Sequence, residues 1–128
     1  MDSIKNRRTI RKYKAQDIPV DLLNDMLETS FRAATMGNMQ LYSVVVTRDP
    51  EMKAQLAPAH FNQPMVTSAP VVLTFCADFN RFSKWCRQRK AEPGYDNLLS
   101  FMNAMTDALL VTQNFVRLLR IKGLGTCF

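Results

Sequence analysis

The chain has 128 residues, a formal charge of +6 and 47% apolar residues, which is enough for one domain with a substantial core. Its strongly apolar stretches, around residues 44–46 and 71–75, are far too short to cross a bilayer, and the charged start Met1-Asp2-Ser3-Ile4-Lys5 has no apolar segment behind it; a soluble, non-secreted, cytoplasmic protein is expected. Cys76, Cys86 and Cys127 form no CxxC pair and lie near no histidine cluster, so neither a disulfide framework nor a metal site is expected, and the thiols read as reduced and mostly buried.

Residues 3–8 can form a short opening helix, and residues 11–17 are polar and read as extended. Pro19 has the backbone angle wanted near a helix start. Behind it Leu22, Leu23, Met26, Leu27, Ser30 and Phe31 recur at three- and four-residue spacing, so a helix is predicted there. Thr35-Met36-Gly37-Asn38 breaks it. Residues 41–47 carry Val44-Val45-Val46 and read as a buried strand. Asp49-Pro50 restarts a helix, with a capping acid followed by proline, and that helix should end by Pro58.

Phe61-Asn62-Gln63-Pro64 reads as a loop or short helical entry, and residues 70–77 as a second strand, both strands looking covered on each face. Residues 79–90 form an amphipathic, basic helix, and Glu92-Pro93-Gly94-Tyr95 a turn. Residues 97–121 place Leu98, Leu99, Met102, Met105, Leu109, Leu110, Phe115, Leu118 and Leu119 around much of a long helix, which predicts a central or interface helix buried on several sides. Gly123 ends it. Residues 124–128 look like the start of a third strand. Helices alternating with strands argue for a layered α/β or α+β domain.

Side-chain catalysis finds little support. His60 is the only histidine and reads as a packed or surface residue, while Asp78 and Asp107 are single carboxylates with no partner at helical spacing. There is no phosphate loop, and Gly123-Leu124-Gly125 lacks the third glycine and preceding strand of a dinucleotide fingerprint. No catalytic side chain is assigned, and the chemistry of an enzyme of this kind falls to a cofactor. Six of the seventeen basic residues, Lys5, Arg7, Arg8, Arg11, Lys12 and Lys14, lie in the first fourteen positions. A solvated basic face is the plain explanation. Arg7-Arg8-Thr9-Ile10-Arg11 also suits a phosphorylated ligand, because guanidinium forks grip phosphate oxygens in pairs. Nucleic acid is a minor alternative, since no zinc-finger spacing, RNA-binding aromatic motif or helix-turn-helix accompanies the charge.

At these residues the sequence resembles the nitroreductase family, whose members open with a basic pair, a serine and then a further basic residue. Met36-Gly37-Asn38-Met39-Gln40 is similar to the family's Asn-x-Gln flavin loop, and Phe61-Asn62-Gln63-Pro64 falls where the family places amide or basic groups near the flavin. The long helix ending in Gly123-Leu124-Gly125-Thr126-Cys127 is similar to its central dimer helix. The resemblance implies an α+β nitroreductase-like fold over residues 1–128: a mixed sheet flanked by helices around a long central helix, stopping after the start of the third strand. It further implies FMN held at a homodimer interface, with hydride passing from NAD(P)H to a nitroaromatic or quinone acceptor by a ping-pong route, and no role for nucleic acid or membrane.

Carried over position by position, the resemblance puts Arg7 and Thr9 at the FMN phosphate, Arg8 at the ribityl-phosphate end and Arg11 beside the pyrimidine edge of the ring, where a fixed cation favours the reduced flavin. Asn62 and Gln63 would hydrogen-bond the polar edge. Met36, Asn38 and Gln40 would come from the partner subunit. Thr9 stands where serine is usual, Leu41-Tyr42 where proline and tryptophan are frequent, and Met36-Gly37 where small polar residues are frequent. The alternative is a truncated, inactive fragment that dimerises but holds FMN weakly or not at all.

Overall fold

The computed structural model describes residues 2–128. In chain order it contains α1 (Asp2–Lys5), α2 (Val20–Ser30), β1 (Tyr42–Thr47), α3 (Pro50–Leu56), α4 (Pro64–Ser68), β2 (Val72–Ala77), α5 (Asn80–Gln88) and α6 (Leu98–Ile121), with single tight turns of helix at Met36–Asn38 and Ala57–His60. The opening helix is shorter than expected, whereas the other predicted helices and both strands form close to their predicted bounds.

The predicted cap at Asp49 forms, and Asn97 supplies a second that was not predicted. Asp49 Oδ1 accepts from the Met52 N–H at 2.9 Å and Asn97 Oδ1 from the Ser100 N–H at 2.9 Å, satisfying first-turn donors of α3 and α6. Gly123, at φ 74°, supplies the left-handed residue that lets the chain leave α6.

β1 and β2 pair antiparallel, from Tyr42 opposite Ala77 to Thr47 opposite Val72. Among the described residues this pair is the whole sheet, so the expected mixed sheet is not formed within this chain. Residues 124–128 form no strand; the backbone bond that joins them to the N-terminal segment runs from the Ile10 N–H to the Thr126 carbonyl at 2.9 Å. A lone bond leaves no ladder to define a third strand.

The core lies where α2 and the sheet meet α6. Leu23, Met26 and Leu27 of α2 pack with Phe115 and Leu119 of α6, and Val44, Leu73 and Phe75 close over them from the sheet. A second cluster joins Tyr42 to Ala108 and Val111. Two expectations of full burial need correction. Val45 and Val46 stay exposed, because no helix among the described residues covers that part of β1. α6 is buried along one side only: Ala104, Ala108, Val111, Phe115 and Leu119 face inward, while Leu98, Leu99, Met102, Met105, Leu109 and Leu110 face out. Of the three cysteines only Cys86 is buried; all are free thiols.

Candidate functional site

The basic N-terminal segment is fastened to the far end of α6. Arg120 donates to the Asn6 carbonyl at 2.7 Å, and Ile10 donates to Thr126. Ile10 also fills the space left by the missing side chain of Gly125, where an added Cβ would stand 2.9 Å from it. Burial pushes the Tyr13 phenol above its ordinary value, with the Cys127 thiol adding to this and a hydrogen bond with the Cys127 backbone opposing it, so the contact extends along the segment. With the backbone pinned, Arg7, Arg8 and Arg11 project into solvent and Thr9 is half-buried. Among the described residues no ion pair engages these three arginines. Several unpaired guanidinium groups and a hydroxyl on a fixed backbone make a receptor for an anion.

The loop between α2 and β1 has unusual backbone geometry. Gly37, Asn38 and Gln40 have φ of 54°, 55° and 49°, in the left-handed region that glycine enters freely, asparagine tolerates and glutamine seldom adopts. The Gln40 amide donates to Asn38 twice, to its side-chain oxygen at 2.6 Å and its carbonyl at 2.9 Å. Arg81 at the start of α5 donates to the Gln40 carbonyl and lies 6.0 Å from the centre of the Tyr42 ring. These residues, with Arg32 and Ser43, line an open cleft of about 670 Å³.

Two acids organise this region. Asp107, fully buried on α6, accepts from the Met36 N–H at 2.8 Å and the Leu41 N–H at 3.1 Å. Asp78 accepts from the Ser43 hydroxyl and from the N–H groups of Asn80 and Arg81, which tethers β1 to the first turn of α5. The Ser43 hydroxyl is the main reason the Asp78 carboxyl sits below its ordinary range. Burial raises the Tyr42 phenol, against the pull of Arg81.

Asn62 and Gln63 occupy a turn between Ala57–His60 and α4. Phe61 and Asn62 are left-handed, at φ 56° and 53°, and the turn is closed by the Asn62 N–H bonding the Ala57 carbonyl at 2.8 Å. Both amide side chains are exposed. The nearby His60 lines a smaller cavity of about 270 Å³ with Phe75, Met105, Leu109 and Phe128.

The expected site residues thus fall into three groups. Asn38 and Gln40 are bonded to each other, with Met36 exposed beside them. The segment carrying Arg7, Arg8, Thr9 and Arg11 is held near Arg120, whereas the 36–41 loop is held at Asp107. These anchors are about thirteen residues, roughly 20 Å, apart along α6. Asn62 and Gln63 form the third group and line neither cleft.

The model of the Nitroreductase family matches residues 4–128. The chain belongs to the nitroreductase family. It is 28% identical over 130 residues to an FMN reductase (NADPH) of Bacillus subtilis strain 168, covering 100% of this chain and 52% of that protein. Among solved structures, a Bacteroides fragilis NCTC 9343 protein provisionally described as an oxidoreductase is 70% identical with a TM-score of 0.96, over 98% of this chain and 51% of that one. The NADPH:FMN oxidoreductase of Vibrio harveyi, solved with NAD+, is 26% identical with a TM-score of 0.89, over 97% and 52% of the two chains. The chain therefore spans about half the length of these relatives.

Within this nitroreductase-family chain, two residues of the loop region were not anticipated. Asp107 has a usable signal in hindsight: it shares a helix face with Ala104, Ala108 and Val111, and an acid on an apolar face needs buried donors to satisfy it. Arg81 has none, being one of several basic residues on an amphipathic helix.

Proposed function

We propose that the chain forms the first part of a single nitroreductase-like domain in a cytoplasmic, homodimeric, FMN-dependent oxidoreductase that uses NAD(P)H to reduce nitroaromatic or quinone-type acceptors. The observation that carries this is the division of the candidate residues along α6. Arg7, Arg8, Thr9 and Arg11 suit the phosphate and pyrimidine ends of FMN, and Asn38 and Gln40 its polar surfaces, yet within one chain the two sets are held far apart. A second copy brings them together if it packs on the open face of α6. That face exposes Leu98, Phe101, Met102, Met105 and Leu109, a run of large apolar side chains of the kind that marks an interaction surface.

The donor set fits the cofactor. Three arginines without ion pairs among the described residues and a threonine hydroxyl match a phosphate dianion, and amide side chains at 38, 40, 62 and 63 match the donors and acceptors of a flavin edge. FMN, when bound, supplies the hydride chemistry, accepting from the nicotinamide and delivering to the acceptor. Arg7 and Thr9 hold the phosphate, with Arg8 supporting them. Arg11 keeps a fixed positive charge at the pyrimidine edge, where negative charge accumulates on reduction. Met36, Asn38 and Gln40 of the partner subunit, with Asn62 and Gln63, orient the ring and exclude water.

FMN titration followed by fluorescence quenching, then NAD(P)H addition under anaerobic conditions, tests this. Uptake of FMN and bleaching of its visible absorbance on adding NAD(P)H are expected, with re-oxidation by a nitroaromatic or a quinone. A folded protein that takes up no FMN would contradict the proposal and favour a non-catalytic chain.

A further inference from the structure

Asp107 is a carboxylate with no access to solvent, and among the described residues no ion pair engages it. A buried charge is costly unless its oxygens receive hydrogen bonds. Those that Asp107 receives come from the backbone, and they bracket one loop: Met36 N–H at one end on Oδ1 and Leu41 N–H at the other on Oδ2. Between them lie three left-handed residues, Gly37, Asn38 and Gln40. Asn38 and Gln40 are not glycines, and a backbone of this kind persists only where its surroundings over-determine it. The carboxylate fixes the ends, Gln40 bonds Asn38 across the middle, and Arg81 bonds the Gln40 carbonyl from outside.

We propose that Asp107 is a positioning residue for the cofactor site: its buried carboxylate clamps both ends of the 36–41 loop, and so presents Asn38 and Gln40 in one fixed conformation to the flavin of a second copy. This rests on the assignment of Asn38 and Gln40 given above. The clamp belongs to the interior of one subunit, although the groups it aims serve the other. Asp107 touches no substrate or cofactor.

The test compares Asp107→Asn with Ala104→Gly in the full chain. An amide offers one acceptor oxygen and turns an NH2 group toward the second N–H, so one end of the loop is released. Ala104→Gly weakens the same helix without altering the carboxylate. Amide hydrogen exchange and FMN affinity are read for both. In Asp107→Asn the Met36 or Leu41 amide is expected to exchange at least about tenfold faster while β1 and β2 stay protected, and the FMN dissociation constant to rise about 10- to 100-fold, the scale of a lost hydrogen bond to a charged group. Ala104→Gly should lower the thermal midpoint and leave both readouts near the parent.

Unchanged exchange at both amides would overturn the clamp. Faster exchange with unchanged FMN affinity would overturn its role toward the flavin. If Asp107→Asn does not fold, Met36→Pro removes one donor and keeps the acid. Thr35 already has the extended backbone that precedes proline, at φ −133° and ψ 152°. In that variant the Met39 amide, which bonds the Met36 carbonyl at 3.0 Å, should exchange faster, and unchanged protection there would overturn the clamp. A parent chain that takes up no FMN contradicts the proposed function instead, and the exchange data still decide whether Asp107 holds the loop.

Discussion

Both faces of α6 are rich in apolar residues, and only one is covered. Phe115, at 2% exposure, is closed over by α2 and the sheet, whereas Leu109, six residues earlier, is 51% exposed and Leu98 is 76% exposed. Composition and periodicity say how much surface a helix needs to bury, and they do not say against what. The described residues cover one face of the helix and leave the other in solvent. The candidate site is divided in the same way, with a basic segment at one end of the helix and an amide-bearing loop clamped at its middle.

The sharpest way to break this comparison is to substitute one residue from each face. Phe115→Ala is expected to cost about 3–5 kcal/mol in urea denaturation, as for a well-packed aromatic side chain. Leu109→Asp should change the stability of the subunit itself by less than about 1 kcal/mol. Its effect belongs to assembly, where a charge in an apolar interface should raise the dimer dissociation constant at least about tenfold by sedimentation equilibrium. Comparable losses of folding stability from both variants would make the open face part of the subunit core.

Arg11→Ala extends the comparison to the basic segment. An exposed side chain with no ion pair among the described residues contributes little to folding, so the variant's folding stability should stay within about 0.5 kcal/mol of the parent's, as read by thermal denaturation. Flavin reduction by NADPH should slow by about tenfold or more if its charge faces the reduced ring. A large loss of stability would assign Arg11 to structure, and unchanged reduction would remove it from the flavin edge.

The smallest effect concerns pH. The Asp78 carboxyl is held below its ordinary range mainly by the Ser43 hydroxyl. Its contribution is therefore present above the unfolded carboxyl pKa of about 3.9 and lost as pH falls through the lower folded value. Ser43→Ala should lower stability by less than about 1 kcal/mol near neutrality. The gap to the parent should narrow in acid, as read from thermal midpoints between pH 7 and pH 3. A gap that does not change with pH would detach the effect from the Asp78 charge.

Much of the fold was legible because local signals and packing agreed. The stripe from Leu22 to Phe31, the cap at Asp49 followed by Pro50, and the valine run of β1 each pointed the same way as the tertiary structure. The failures have physical causes. Residues 124–128 have strand-like composition, but a strand needs a ladder, and here the recorded backbone bonding to the N-terminal segment is one bond. Val45 looked buried because β-branched residues favour strands whether or not their outer face is covered. In the site, the types at Arg7 to Arg11 and at Asn38 and Gln40 pointed to a ligand through family resemblance. The apolar face around Asp107 signals a buried acid that needs donors, but which donors was not legible, since they are backbone groups about 70 residues away in sequence.

Mixing two defective chains addresses the division of the site most directly. One variant carries Arg7→Ala and Arg11→Ala, the other Asn38→Ala and Gln40→Ala, and each alone should bind FMN poorly by equilibrium dialysis. Unfolded and refolded together in equal amounts, they should form mixed dimers in which one of the two sites draws intact groups from both chains. FMN capacity should then return to about a quarter of the parent value, the statistical share for a two-fold dimer. No recovery on mixing, with both variants folded and dimeric, would contradict a site built from two copies.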